Sequence, residues 1–163
     1  MTRFAIGLGS NLGDRLDHLT RAVAAIAELA DSVQVSPLYE TLPIGGPEQG
    51  QFLNSVVVIE TGLDAWALLE GLQDIESGHG RVRAAHWGPR TLDADIIASD
   101  GPEVGDERLV VPHPRAAERE FVLRPLTDVW PDAPLGGGMT AWEALRHVEG
   151  QGVTLVGHDW WSN

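Results

Sequence analysis

The chain has 163 residues, 43% of them hydrophobic and 21% charged, with a formal net charge of −13 and no cysteine. That composition suits a globular chain with one sizeable core and excludes disulfides and thiolate metal sites. The acidity argues against a general nucleic-acid or anionic-membrane surface, while leaving room for a small anion bound locally. It fits either simple solubility or a salty cytoplasm. No run approaches the ~18 apolar residues of a membrane span, and the N-terminus opens straight into a strand-like run rather than a signal peptide. One cytoplasmic domain over residues 1–163 is the expectation.

In chain order, residues 3–8 read as a short buried strand ended by Gly9, Ser10 and Asn11. Asp14 is placed to cap a helix whose apolar positions, Leu16, Leu19, Val23, Ile26 and Ala27 or Ala30, recur at intervals of three and four. Residues 32–39 alternate in part and predict a strand. Residues 41–51 hold two prolines and three glycines and predict a long loop. Residues 52–61 contain VVVIE and predict a central strand. Asp64 is placed to cap a second amphipathic helix with Leu68, Leu69, Leu72 and Ile75 inward, ending near Ser77 and Gly78.

A second long loop is expected over residues 78–91, then a strand over 92–97 and a turn over 101–106. A short strand over 108–111 should stop at Pro112 and Pro114. Residues 116–126 are expected to be partly helical. Thr140 starts a helix to about Val148, and residues 153–156 read as a late strand. The tail carries Trp160 and Trp161, which either pack on the body or lie exposed. The order, strand–helix–strand twice and then a mixed C-terminal part, predicts an α/β fold of the α+β sandwich type with both early helices on one sheet face. A phosphate-binding GxxxxGK[ST] loop is absent, and Gly7 and Gly9 form only a weak G-x-G.

The chemistry concentrates in residues 81–96, RVRAAHWGPRTLDADI. All 11 Lys+Arg residues of the chain are arginine, and Arg81, Arg83 and Arg90 fall in this one segment. Guanidinium groups offer paired donors to phosphate oxygens. Asp93 and Asp95 are two apart, so on a strand they share a side. Neighbouring carboxylates repel unless a cation sits between them, and magnesium prefers carboxylate oxygens with phosphate and water. On the motif alone, an edge strand with one polar face is the competing reading. Trp87 reads equally as a cover for the site or as a packing anchor.

The chain resembles the 6-hydroxymethyl-7,8-dihydropterin pyrophosphokinase family of folate biosynthesis. Residues His86 to Ile96 follow that family's RWGPRTLDLDI signature, and Gly7 to Gly13 (GLGSNLG) its opening motif. Tyr39-Glu40-Thr41, Phe52-Leu53-Asn54, Val111 to Arg115 (VPHPR) and Glu118 to Leu123 (EREFVL) complete the match, which covers about residues 3–132. His86 replaces the signature's first arginine, Ala84 and Ala85 stand where members often carry basic residues, and Ala94 replaces a leucine.

The resemblance implies a ferredoxin-like core and pyrophosphate transfer from ATP to the pterin's hydroxymethyl oxygen, leaving AMP. It implies two magnesium ions on Asp93 and Asp95, with Arg81, Arg83 and Arg90 at the phosphates and Trp87 closing over them. Gln73, Glu76, His113 and Arg119 would serve the nucleotide. Thr41, Pro43, Ile44 and Asn54 would line the pterin pocket, with Phe52 and Phe121 on the two ring faces. Taken alone, Phe52 and Phe121 read as core residues and His113 as a hydrogen-bonded turn histidine. Small molecules are the expected partners, not nucleic acid or membrane, and coupling to other folate-pathway enzymes is left open.

Overall fold

A computed structural model describes residues 1–41, 50–79 and 91–162. Among them, strand β1 (Thr2–Ser10) is followed by helix α1 (Arg15–Ala27), β2 (Ser32–Val35), β3 (Leu38–Thr41), β4 (Phe52–Thr61), α2 (Ala65–Gly78) and β5 (Asp93–Ser99). Then come a two-stranded ribbon, β6 (Val104–Gly105) and β7 (Val110–Val111), a 3-10 turn (Ala116–Glu118), α3 (Glu120–Val129), α4 (Ala141–Leu145) and β8 (Val153–Gly157). Every strand pairing among the described residues is antiparallel. The main sheet runs β5-β1-β4-β3-β8, with β2 on β4 beside β3. Counting β2 and β3 as one interrupted strand, the first two strand–helix–strand units give the interleaved order of a ferredoxin-like core. None of the described helices is long and apolar enough to cross a membrane.

The helices begin where their caps stand. Asp14 Oδ1 accepts the Asp17 amide at 3.1 Å and Asp64 Oδ1 accepts the Ala67 amide at 2.8 Å, satisfying donors that a first turn leaves unpaired. Helix α1 buries Leu19, Ala22, Val23 and Ile26, and α2 buries Leu68 and Leu72. These side chains meet Phe4, Ile6, Leu8, Val57 and Ile59 on one sheet face. Both early helices therefore share a face, as expected. One expected inward position differs: Leu16 is 44% exposed, while of the alternatives Ala27 and Ala30 it is Ala30 that packs on the first core and Ala27 that lies outside. Leu16 lies in the first turn, ahead of the part of α1 that reaches the sheet.

The opposite face carries a second core. Ala5, Val56, Val58, Ile97 and Ala98 pack there against Leu123 and Leu126 of α3 and Ala144 and Leu145 of α4. A register shift between β1 and β5 leaves Ile97 as the extra residue, so Ile96 faces the first core while Ile97 and Ala98 both face the second. The expected strand over 32–39 is two strands. At the break, the Ser36 hydroxyl accepts the Val56 amide at 2.9 Å and meets Ser55 Oγ at 2.8 Å, so a side chain takes a ladder position before Pro37. The tail packs inward. Trp160 is 8% exposed and its indole N–H donates to Ser36 O at 2.9 Å, with Trp161 edge-on at 5.9 Å.

Candidate active site

Sheet register assembles the site. Asp93 and Asp95 stand opposite Gly9 and Gly7 of β1, Gly9 opposite Asn54 of β4, and Asn54 opposite Tyr39 of β3. Thr41 stands opposite Phe52 in the same ladder. Cross-strand partners share a face, so these residues form one band across the end of the sheet, on the face that α3 covers further along. Ala94 points the other way and is buried in the first core against the early helices. The alternation read from D-A-D holds, and alanine occupies the core position.

Two glycines keep the band open. A side-chain carbon at Gly9 would lie 2.9 Å from Asn54 Oδ1, and one at Gly7 would lie 3.2 Å from the Ile97 side chain. Asn54 is 6% exposed, and its amide Nδ2 donates to Thr41 Oγ1 at 2.6 Å. This orients the amide, with its oxygen over Gly9. Phe52 and Phe121 are each partly exposed, at the start of β4 and of α3. Phe121 also packs against the second core, so its core reading and its availability to a ligand coexist.

The basic groups arrive from the segment between β7 and α3. The His113 amide donates to Ile97 O at 2.8 Å, tying that segment to β5. Nδ1 of His113 accepts the Arg115 amide at 3.2 Å, so the neutral ring carries its proton on Nε2. Burial holds the His113 pKa below the ordinary histidine range; Arg119 lowers it further, and Asp93 opposes them. Burial likewise lowers the Arg119 pKa, as does Arg115, while Asp95 and Asp93 pull it back. His113, Arg119, Asp93 and Asp95 thus form one electrostatic group. The Arg119 guanidinium also sits 5.6 Å from the Phe121 ring centre.

Beside this group is a cavity of about 220 Å³ lined by Asp95, Ile96, Arg108, Leu109, His113 and Pro114, among others. Arg108 was not among the residues singled out from sequence. It lies over the Trp66 ring of α2 at 5.7 Å. An arginine beside a short strand, in a chain with so few cations, was the available signal. A second cleft of about 380 Å³ opens between Asn11, Arg15, Glu40 and Gln51, near the ends of β1 and β3.

Gln73 is exposed on α2. Glu76 is 4% exposed, and its carboxylate accepts the Ala94 amide at 3.0 Å. Arg81, Arg83, Trp87 and Arg90, with His86, lie outside the described residues, as do Pro43 and Ile44.

The described site residues contain no group of three or more His, Cys, Asp or Glu side chains able to cage a metal. A pair of carboxylates suits a hard cation that completes its shell with phosphate and water, which is how magnesium binds nucleotides. Paired carboxylates beside an arginine and a histidine, on an antiparallel α/β sheet, suit an enzyme of phosphoryl-group transfer.

Comparison with known proteins narrows the class. Residues 5–131 match the 7,8-dihydro-6-hydroxymethylpterin-pyrophosphokinase (HPPK) family. The chain is 44% identical over 158 residues to the 2-amino-4-hydroxy-6-hydroxymethyldihydropteridine pyrophosphokinase of Methylorubrum extorquens, covering 96% of this chain and 99% of that one. The Bacillus subtilis enzyme of the same name is 48% identical over 126 residues, covering 76% and 75%. A Plasmodium falciparum HPPK-DHPS structure superposes with a TM-score of 0.68 at 14% identity, covering 90% of this chain and 43% of that chain. At that identity the likeness shows the fold alone, and this chain spans under half of that longer protein. The chain belongs to the HPPK family. Its activity is that family's transfer of pyrophosphate from ATP to 6-hydroxymethyl-7,8-dihydropterin.

Proposed function

We infer that this reaction is divided between two halves of the band, within one pyrophosphokinase domain spanning residues 1–163. The observation that carries the reading is the register that sets Asp93, Gly9 and Asn54 side by side. It puts a cation-binding carboxylate one strand away from the group suited to a pterin edge, with a glycine between them.

Asn54 offers a donor and an acceptor to the heterocycle, with Thr41 holding its amide. Phe52 and Phe121 supply flat apolar faces for the ring, and Pro43 and Ile44 complete the pocket. On the other half, Arg119, His113 and Arg108 bind the triphosphate and ribose, with Gln73 at the nucleotide's edge. Arg81, Arg83 and Arg90 add phosphate donors, and Trp87 covers them. Asp93 and Asp95 would hold two magnesium ions, which neutralise the triphosphate and polarise the bond to be broken.

The hydroxymethyl oxygen forms its bond to the β-phosphorus while the bond from that phosphorus to the α,β-bridging oxygen breaks. The bridging oxygen leaves with AMP, and the alcohol proton passes to solvent. The protein's part is alignment and charge neutralisation rather than a covalent nucleophile. The neutral His113 donates Nε2–H to a phosphate oxygen without needing to change its charge. We place this chemistry in the cytoplasm, with functional coupling to neighbouring folate enzymes.

The test is incubation with ATP, magnesium and the pterin, with Asp95→Ala in parallel. AMP should form only when the pterin is present, and the variant should lose turnover. Pterin-independent AMP formation, or near-normal turnover of the variant, overturns this division of roles.

A further inference from the structure

Glu76 is an unusual residue to find where it is. Its carboxylate is almost wholly buried, on a helix whose other inward residues are leucines. Sequestering a carboxylate is costly unless strong hydrogen bonds compensate. It accepts a hydrogen bond from the main chain of β5, at the amide of Ala94, 3.0 Å away. Ala94 is the residue between Asp93 and Asp95.

Among the described residues, β5 is the outer strand of the sheet on this side, paired with β1, and the His113 amide holds it further along at Ile97. In an antiparallel pair, successive residues point their main-chain groups alternately toward the partner and away from it. An Ala94 amide bonded to Glu76 points away from β1. Its neighbours Asp93 and Asp95 therefore face β1, where their pairing partners are Gly9 and Gly7. The D-A-D segment is gripped from both sides: the aspartates by β1, the alanine by Glu76. An outer strand gripped on one side only is free to fray or slip, and a slip of one residue would turn both carboxylates into the core.

We propose that Glu76 is a positioning residue for the metal-binding strand: its buried carboxylate holds the Ala94 amide, and so sets the spacing and facing of Asp93 and Asp95. The inference rests on the proposed metal role of that pair. It gives Glu76 work on the protein's own backbone rather than on the nucleotide. The same reach explains the glutamate at this point of α2. A glutamine would keep an acceptor oxygen; an aspartate, one methylene shorter, would not extend as far.

The test compares Glu76→Gln, Glu76→Asp and Glu76→Ala with the parent chain. Amide hydrogen exchange at Ala94, measured without magnesium or ATP, reads the bond itself. It should be slow in the parent and in Glu76→Gln, and at least about tenfold faster in the other two. The magnesium concentration for half-maximal rate should rise by about tenfold or more in Glu76→Asp and Glu76→Ala, with the pterin KM within about twofold, as for outer residues that orient metal ligands. Glu76→Gln should stay near the parent in both measurements. Where Glu76→Ala does not fold, Glu76→Asp carries the comparison. An unchanged magnesium requirement in Glu76→Asp despite fast Ala94 exchange overturns the proposal. So does a Glu76→Gln variant as impaired as Glu76→Asp, which would put the charge to work rather than the bond. Failure of the metal assignment itself is separate: it shows as turnover retained in Asp95→Ala, whatever the exchange at Ala94.

Discussion

Asn54 Nδ2 donates to Thr41 Oγ1 at 2.6 Å, a bond between neighbouring strands that decides which end of the Asn54 amide faces Gly9. Both residues are buried, so water does not readily replace the lost partner. Replacing Thr41 by valine keeps the shape and removes the acceptor, leaving a buried donor unsatisfied at a cost of about 1–3 kcal/mol. Steady-state kinetics on Thr41→Val should show a pterin KM raised about tenfold, with the ATP KM within about twofold. Equal rises in both would show that Asn54 is not specific to the pterin half.

Gly9→Ala tests the other side of the same amide. The added carbon would fall 2.9 Å from Asn54 Oδ1, and both strands that flank Gly9 are held in register, so Asn54 must move. Overpacking of this kind costs about 1–3 kcal/mol. The melting temperature should fall by several degrees, and pterin binding should weaken more than nucleotide binding. A variant with unchanged pterin affinity would mean that Asn54 has another productive position.

The tail makes a prediction about stability alone. Trp160 packs into the first core and donates its indole N–H to Ser36 O. Trp160→Ala should cost about 3–5 kcal/mol of unfolding free energy in denaturant titration. Rate per folded molecule should change little, because the Asp93–Asn54 band lies on the other face. A variant as stable as the parent would show that the tail does not brace the body.

His79 contributes to the pH dependence of stability with a definite sign. Its Nδ1 lies 2.7 Å from Nδ1 of His18, beside Arg21 and Asp17. Burial lowers the His79 pKa from the ordinary 6.5, with Arg21 and His18 pushing the same way and Asp17 opposing. The unfolded chain therefore takes up a proton at higher pH than the folded one. The stability is fully present above about pH 6.5 and is lost as the pH falls through the folded value. Denaturant midpoints between pH 7.5 and 5 should fall in the parent and fall less in His79→Gln. Parallel curves would remove His79 as the cause.

The parts legible in the sequence were those built from neighbours along the chain. The caps at Asp14 and Asp64 act three residues on, and the leucines of α2 recur at helical spacing. The strand over residues 52–61 is apolar enough to require burial on both faces, which is what it has. The D-A-D alternation needed only the two-residue period of a strand. What was not legible depended on distant partners. At the break, the Ser36 hydroxyl accepts the amide of Val56, a residue 20 positions on. Arg108 gained its place through a cavity wall shared with Asp95, and Glu76 gained its place from an amide 18 positions away.

The sequence by itself determined the chemistry: paired carboxylates, a cluster of arginines, and motifs specific enough to identify the family. Those are properties of residue types at short spacings. Only the tertiary structure decided which strand holds each group and what fixes it there. The tail shows the difference most simply. Two adjacent tryptophans carry no information about their surroundings, because burying them depends on a surface that other segments build. Trp160 packs into the first core and its indole N–H finds the carbonyl of Ser36, 124 positions earlier, where a strand is interrupted. The carboxylate pair follows the same logic: its alternation is local, but its opposition to Gly9 and Asn54 is a property of the assembled sheet.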